Sequence, residues 1–266
     1  MPTLKELCNI AEELAPLELS YKTVAKGGYD NSGIIVDSGK NVSKILFSLD
    51  LSEAAVKRAK RLGCDTVVTH HPAIYMPVKS ISATELVNPA VYAAVRGGIS
   101  VLSMHLNLDI AEGGIDASLA EALGADKTRL LDILTEGDLR YGYGREFIVN
   151  VTFAEIISRA KKNLKTDRII CYGNKKEKVK ICASFCGAGA GFAETAVKSG
   201  ESQADLIVTS DMPHHVIKEL VEAGKKIMII THYSAENYGF EKFYGRMTEK
   251  LSGKAETFYF EDKRFL

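Results

Sequence analysis

Apolar residues at Leu4, Leu7, Cys8, Ile10, Ala11 and Leu14 recur at the spacing of one helix face, which predicts a helix opening at Pro2-Thr3 and stopping at Ala15-Pro16. Residues 22–33 are rich in Gly, Asp, Asn and Ser and read as a loop. Residues 44–49 read as a strand, and Ser52 caps a periodic stretch that Gly63 closes. Residues 66–69 form a short buried strand, 89–96 a helix closed by Gly97-Gly98, and 99–104 a further strand. The second half repeats this order, with strands at 179–185, 206–209 and 227–231 and helices at 192–198 and 216–222. Alternating strands and helices predict an α/β layered fold with largely parallel pairing.

The halves also match in detail. Asp65-Thr-Val-Val-Thr69 parallels Asp205-Leu-Ile-Val-Thr209, and Gly97-Gly98 before Val101 to His105 parallels Gly224 before Ile227 to His232. The pattern predicts two α/β domains of related topology, with helices layered on mixed, largely parallel sheets. They are expected at 1–130 and 131–266, with the segment from about 235 packing back on the first half. Residues 134–150, which include Tyr141-Gly-Tyr-Gly144, read as the crossing between halves.

Composition narrows the classes of function. The chain has 266 residues, 46% apolar and 26% charged, which suits a protein with a sizeable core. Lys plus Arg and Asp plus Glu are 34 each, so zero net charge gives no ground to expect nucleic acid or an acidic membrane as partner. No apolar run approaches the roughly 20 residues of a membrane helix. Lys5, Glu6, Glu12 and Glu13 interrupt the first apolar stretch and argue against a signal peptide. The five cysteines include no pair at zinc-site spacing, so we expect interior thiols in a reducing cytoplasm.

The candidate chemistry collects at strand ends, where parallel α/β sheets bind ligands. Thr69 is followed by His70-His71-Pro72, Met104 by His105 with Asp109 four residues on, and Thr231 by His232 with Glu236 four residues on. Imidazole and carboxylate together suit Zn, Mn, Fe, Co or Ni. Neighbours on an extended strand point to opposite faces, so His70 and His71 can both bind metal only if the backbone turns there, and two ions are more natural than one. Cys186-Gly-Ala-Gly-Ala-Gly191 lies between a strand and a helix. It reads either as a phosphate-cradling loop, with Gly187 and Gly189 as substrate contacts, or as a tightly packed turn. Asp211 reads as a cap for the helix at 216–222 or as an outer partner of a ligand imidazole, and the cap is preferred. His215 and His105 are candidates for proton transfer or substrate orientation. No Gly-x-Ser-x-Gly elbow or dinucleotide fingerprint is present.

These residues resemble one family along the whole chain. The segments are Tyr29-Asp30-Asn31-Ser32-Gly33, Thr69 to Pro72, Lys79-Ser80-Ile81, His105-x-Asn107-x-Asp109 with Gly113-Gly114, Thr209-Ser210-Asp211 with His215, and His232 with Glu236. Their order and spacing are similar to those of the Nif-three-like dinuclear-metal family, also known as GTP cyclohydrolase type-two homologs. Tyr29 stands where the family carries Trp. The resemblance implies two α/β domains, a hexameric ring, and two divalent ions per chain held by His70, His71, Asp109, His232 and Glu236. One ion would take His71 and Asp109, the other His70 and His232, with Glu236 shared. It implies a cytoplasmic metal-dependent hydrolase of a small molecule, GTP cyclohydrolase-like. The alternatives are a non-catalytic metal-binding or metal-delivery protein and an interaction scaffold.

Overall fold

The computed structural model describes residues 1–82, 89–135 and 138–266, and capping residues set its first boundaries. Thr3 and Glu6 form a reciprocal capping box: the Glu6 amide donates to the Thr3 hydroxyl at 3.2 Å and the Thr3 amide to the Glu6 carboxylate at 2.7 Å. They open α1 (Leu4–Glu12). Next come α2 (Leu17–Ala25), β1 (Gly33–Val36) and β2 (Lys44–Ser48). Ser52 caps α3 (Glu53–Leu62), and Gly63 ends it in the left-handed region at φ 71°. Then follow β3 (Thr66–Thr69), α4 (Pro89–Gly97), β4 (Ser100–Ser103) and the short α5 (Leu106–Ile110).

A second set runs through α6 (Ile115–Leu123), β5 (Arg129–Thr135), β6 (Asp138–Thr152), α7 (Phe153–Asn163), β7 (Ile169–Tyr172), β8 (Lys178–Ser184), α8 (Ala190–Lys198), β9 (Leu206–Thr209), α9 (His214–Glu222) and β10 (Lys226–Ile230). The chain ends with α10 (His232–Lys250) and β11 (Glu256–Tyr259). Two units result. One is Met1–Ala111 with Phe240–Asp262, and the other is Glu112–Gly239 with Lys263–Leu266. The sequence boundary at 130/131 falls inside β5, whereas the units part at Ala111/Glu112, because α6 packs against α7, β6 and β8.

The first unit holds a five-stranded sheet in the order β1-β4-β3-β2-β11, parallel except for β1 against β4. Leu46, Val67 and Val101 pack beneath Val56, Ala59 and Ala94 of α3 and α4. Phe47 meets Phe240, Phe243 and Tyr244. The second unit holds a six-stranded sheet in the order β5-β6-β8-β9-β10-β7. Its centre, β8-β9-β10, is parallel, and its flanks are antiparallel. Ala183, Ile207 and Ile227 pack there with Ala193, Val216 and Leu220.

The related topology is visible strand by strand: β1-β4-β3-β2 repeats as β7-β10-β9-β8, with the antiparallel strand at the same place. An aspartate marks the repeat. Asp65 Oδ2 accepts from the amides of Ser43 at 2.8 Å and Lys44 at 3.2 Å, and Asp205 Oδ2 from those of Lys180 at 2.8 Å and Ile181 at 3.1 Å. Their carbonyls accept from Ser100 and Lys226, both at 2.9 Å.

Two expectations are corrected. The loop read over 22–33 is α2 through Ala25 and β1 from Gly33. The helix buries Leu17, Leu19 and Ser20 and turns the Lys22–Glu18 ion pair to solvent, so the polar residues read as loop at 22–23 end an amphipathic helix. The crossing read over 134–150 is sheet: β6 pairs with both β5 and β8, residues 136–137 lying outside the described chain. Its glycines sit where neighbours leave no room for a Cβ, which at Gly142 would meet the Asp132 carbonyl and at Gly144 the Phe185 ring. Among the described residues, no helix is long and apolar enough to cross a membrane.

Candidate metal centre

In the first unit, the backbone bends at His70 and His71 directly after β3. Both amides donate to the Leu49 carbonyl at 3.1 Å, and the Thr69 hydroxyl donates to the His71 carbonyl at 2.8 Å. The bend is therefore held by the end of β2 and by β3 itself. His105 follows β4, and α5 carries Asp109 back to His70, whose Nε2 lies 3.4 Å from Asp109 Oδ1, so Asp109 faces His70 and not His71, the residue expected to share its ion. Both groups are buried.

Each imidazole is gripped at Nδ1. The acceptor is the Met104 carbonyl for His70 at 2.8 Å, Asp50 for His71 at 2.7 Å and Asp30 for His105 at 2.7 Å. A carbonyl only accepts, so His70 carries its proton at Nδ1, and in the neutral ring the Nε2 lone pair is the donor. The three imidazoles offer nitrogens within 4.8 Å of one another. Asp30 is the most elaborately held of the acceptors. Burial raises its pKa, but bonds from His105, Ser20 and Ser32 and the field of His105 outweigh that and bring the carboxyl down to about 2.

The segment around Asp30 is a brace. The Asn31 side chain donates to the Ile74 carbonyl at 2.6 Å, and Tyr75 Oη to the Tyr29 carbonyl at 3.0 Å. The Ser32 hydroxyl accepts from the His105 amide at 3.2 Å. The Tyr-Asp-Asn-x-Gly run thus ties the His-His-Pro loop to the His105 turn.

In the second unit, His232 opens α10 and Glu236 lies one turn on, with Nε2 and Oε1 3.1 Å apart. His232 Nδ1 is held by Asp211 Oδ2. This corrects the cap assignment for Asp211: Pro213 occupies the N-cap of α9 and no side chain caps it. Gly187 lies against this pair at φ 55°, and a Cβ there would stand 2.5 Å from Glu236 Oε1 and 3.4 Å from His232 Nε2. The Gly187 carbonyl accepts from the Ser210 amide at 3.2 Å. Beneath it, Asp116 receives the Cys186 amide and Arg145 Nε, each at 3.2 Å. At Gly189 a Cβ would stand 2.7 Å from the Tyr143 hydroxyl and 3.0 Å from that of Thr209, so close packing accounts for this glycine. His215 is exposed in the first turn of α9.

The donor set fits a divalent cation. Imidazole nitrogens face carboxylate oxygens, and each ring has an outer acceptor, the arrangement that orients metal-binding histidines. Sequence reasoning named the imidazoles but not Asp30, Asp50 or the Met104 carbonyl that hold them. Asp30 lay within a recognised motif, whereas Asp50, just past β2, offered only its strand-end position.

Known proteins are similar to this chain over most of its length. Residues 2–264 match the sequence profile of Duf34/NIF3 (NGG1p interacting factor 3). A Clostridium perfringens protein named GTP cyclohydrolase 1 type 2 homolog is 32% identical over 256 residues, covering 95% of this chain and 94% of its own. NGG1-interacting factor 3 of Saccharomyces cerevisiae is 26% identical over 80% of each chain. Among solved structures, a Bacillus cereus protein related to NIF3 superposes with a TM-score of 0.85 at 19% identity, covering 100% and 99% of the two chains. Reduced HcgD from Methanocaldococcus jannaschii gives 0.76 at 26% identity over 97% of each.

Proposed function

The chain belongs to the Duf34/NIF3 family, and from that premise we propose that it holds two divalent ions and, so loaded, hydrolyses a small molecule. His70, His71, Asp109, His232 and Glu236 would hold the ions, with Glu236 shared between the two. The observation that carries this reading is the acceptor at Nδ1 of His70, His71 and His232, which directs Nε2 to a cation. Ions of this kind supply Lewis-acid polarisation and activation of water at neutral pH.

The chain's own residues do the rest. Met104, Asp50 and Asp211 fix the three rings, and Gly187 leaves Glu236 room against the loop. His105, held by Asp30, moves a proton at its Nε2, and His215 is a substrate contact. Burial pushes the Cys64 thiol up to about 11, and it stands before the start of β3, at the end opposite His70 and His71, so it offers no thiolate to the site. The name of the Clostridium relative supports a hydrolytic reaction on a nucleotide-like molecule. The working form is a cytoplasmic homo-oligomer, a hexamer, to which the resemblance points and which zero net charge permits.

The test is elemental analysis as purified and after reconstitution with Zn, Fe, Mn, Co or Ni, followed by a hydrolysis screen on nucleotides and phosphoesters. Two ions per chain are expected. Glu236→Ala should lose both, and His215→Ala should keep metal while losing turnover. A chain that takes up no metal overturns the proposal.

A further inference from the structure

Beside the three imidazoles of the first unit stand two tyrosines that the metal reading does not use. Tyr29 and Tyr75 are exposed, at 39% and 45%. Their rings meet edge to face, with centroids 5.2 Å apart and planes at 80°. Tyr75 meets His105 in the same manner, at 6.1 Å and 86°. The three rings therefore make a corner with Tyr75 roughly perpendicular to both others. It is a stiff corner, because Tyr75 Oη donates to the Tyr29 carbonyl and Asn31 ties the adjoining backbone to Ile74. Exposed aromatic rings fixed in this way lose little freedom when a ligand covers them.

We propose that this corner binds the planar aromatic ring of the substrate. An aromatic face is negative and its edge positive, so a flat ring laid on one wall presents its edge to the other, and both contacts are favourable. A sugar or an alkyl chain can set C–H bonds against one wall but has no π face, so it gains only part of this contact. His71, whose ring lies 5.7 Å from that of His105, places the proposed ion beside the same corner. The substrate class is thus a heteroaromatic compound, a nucleobase or a ring like it, with its reacting atom held next to the corner. The inference rests on the metal-hydrolase reading for its location and on the tyrosines alone for its chemistry.

Equilibrium dialysis tests it with guanosine 5′-monophosphate against ribose 5-phosphate, which shares the phosphate and sugar but lacks the base. Both are run on metal-loaded and chelator-treated chain, with metal content measured for every variant. The base-bearing probe should bind at least about tenfold more tightly. Tyr75→Ala and Tyr29→Ala should bring that ratio near one with metal content unchanged, while Tyr75→Phe should keep most of it. Equal binding of the two probes, binding of neither, or a ratio indifferent to Tyr75→Ala overturns the proposal. A chain that binds no metal but keeps the ratio defeats the hydrolase reading and leaves this one standing.

Discussion

Asp211 sits at φ 37°, a backbone region that costs a non-glycine residue of order 1 kcal/mol, and the carboxylate so placed holds the His232 ring. Removing an outer acceptor of this kind costs a metal site about 10–100-fold in affinity. Asp211→Ala should show that loss in a chelator competition, and Asp211→Asn, which keeps an acceptor oxygen without the charge, a smaller one. Unchanged affinity in both would mean that His232 is not a ligand. Asp30 makes a different prediction, about acid. Its carboxyl titrates at about 2 instead of the ordinary 3.8. Between those values the unfolded chain binds the proton and the native chain does not, so native stability rises with pH there. The contribution, about 2 kcal/mol, is complete above roughly pH 4 and lost as pH falls towards 2. Urea unfolding should show Asp30→Asn well below the parent chain at pH 6 and closer to it at pH 3. A gap that does not narrow would refute the assignment.

At the scale of elements, the repeated aspartates allow a paired test. Asp65→Ala and Asp205→Ala each strip two backbone amides of their acceptor, and each should cost about 1–3 kcal/mol in urea unfolding. A cost at one position only would mean that the two aspartates do not play the same part. The same elements show how far the sequence could be read. Thr66 to Thr69 and Leu206 to Thr209 were legible because four successive buried residues bounded by turns leave little choice but a central strand. β6 was not, because Gly142 and Gly144 signal a loop unless the facing Asp132 carbonyl and Phe185 ring are known. α10 was not read from the sequence, although Phe240, Phe243 and Met247 are all buried at helical spacing. Its first turns are buried nearly all round, which blurs any single face. The imidazoles were legible as strand-end residues, whereas Asp50 and Asp211 owe their role to a fold that brings distant loops together.

For the whole molecule, a ligand bound by the folded chain alone stabilises it by mass action. Chelation should therefore lower the melting temperature of metal-loaded protein, and restored metal should raise it again. Light scattering at micromolar concentration should give a mass several times 29.0 kDa, and the monomer mass would contradict the oligomer. The division of the chain also bears on time. The second unit is one unbroken stretch, Glu112–Gly239, apart from its last four residues, whereas the first needs Phe240–Asp262 to add β11 to its sheet edge and Phe243 to its core. A ribosome delivers the chain from its N-terminus, and domains fold as units when their residues have emerged. The half that begins first thus waits for residues 240–262, whereas the second has all but four of its residues before that segment is made. Until the final segment leaves the exit tunnel, the nascent chain carries His70, His71 and His105 on an unfinished sheet with β2 still at its edge.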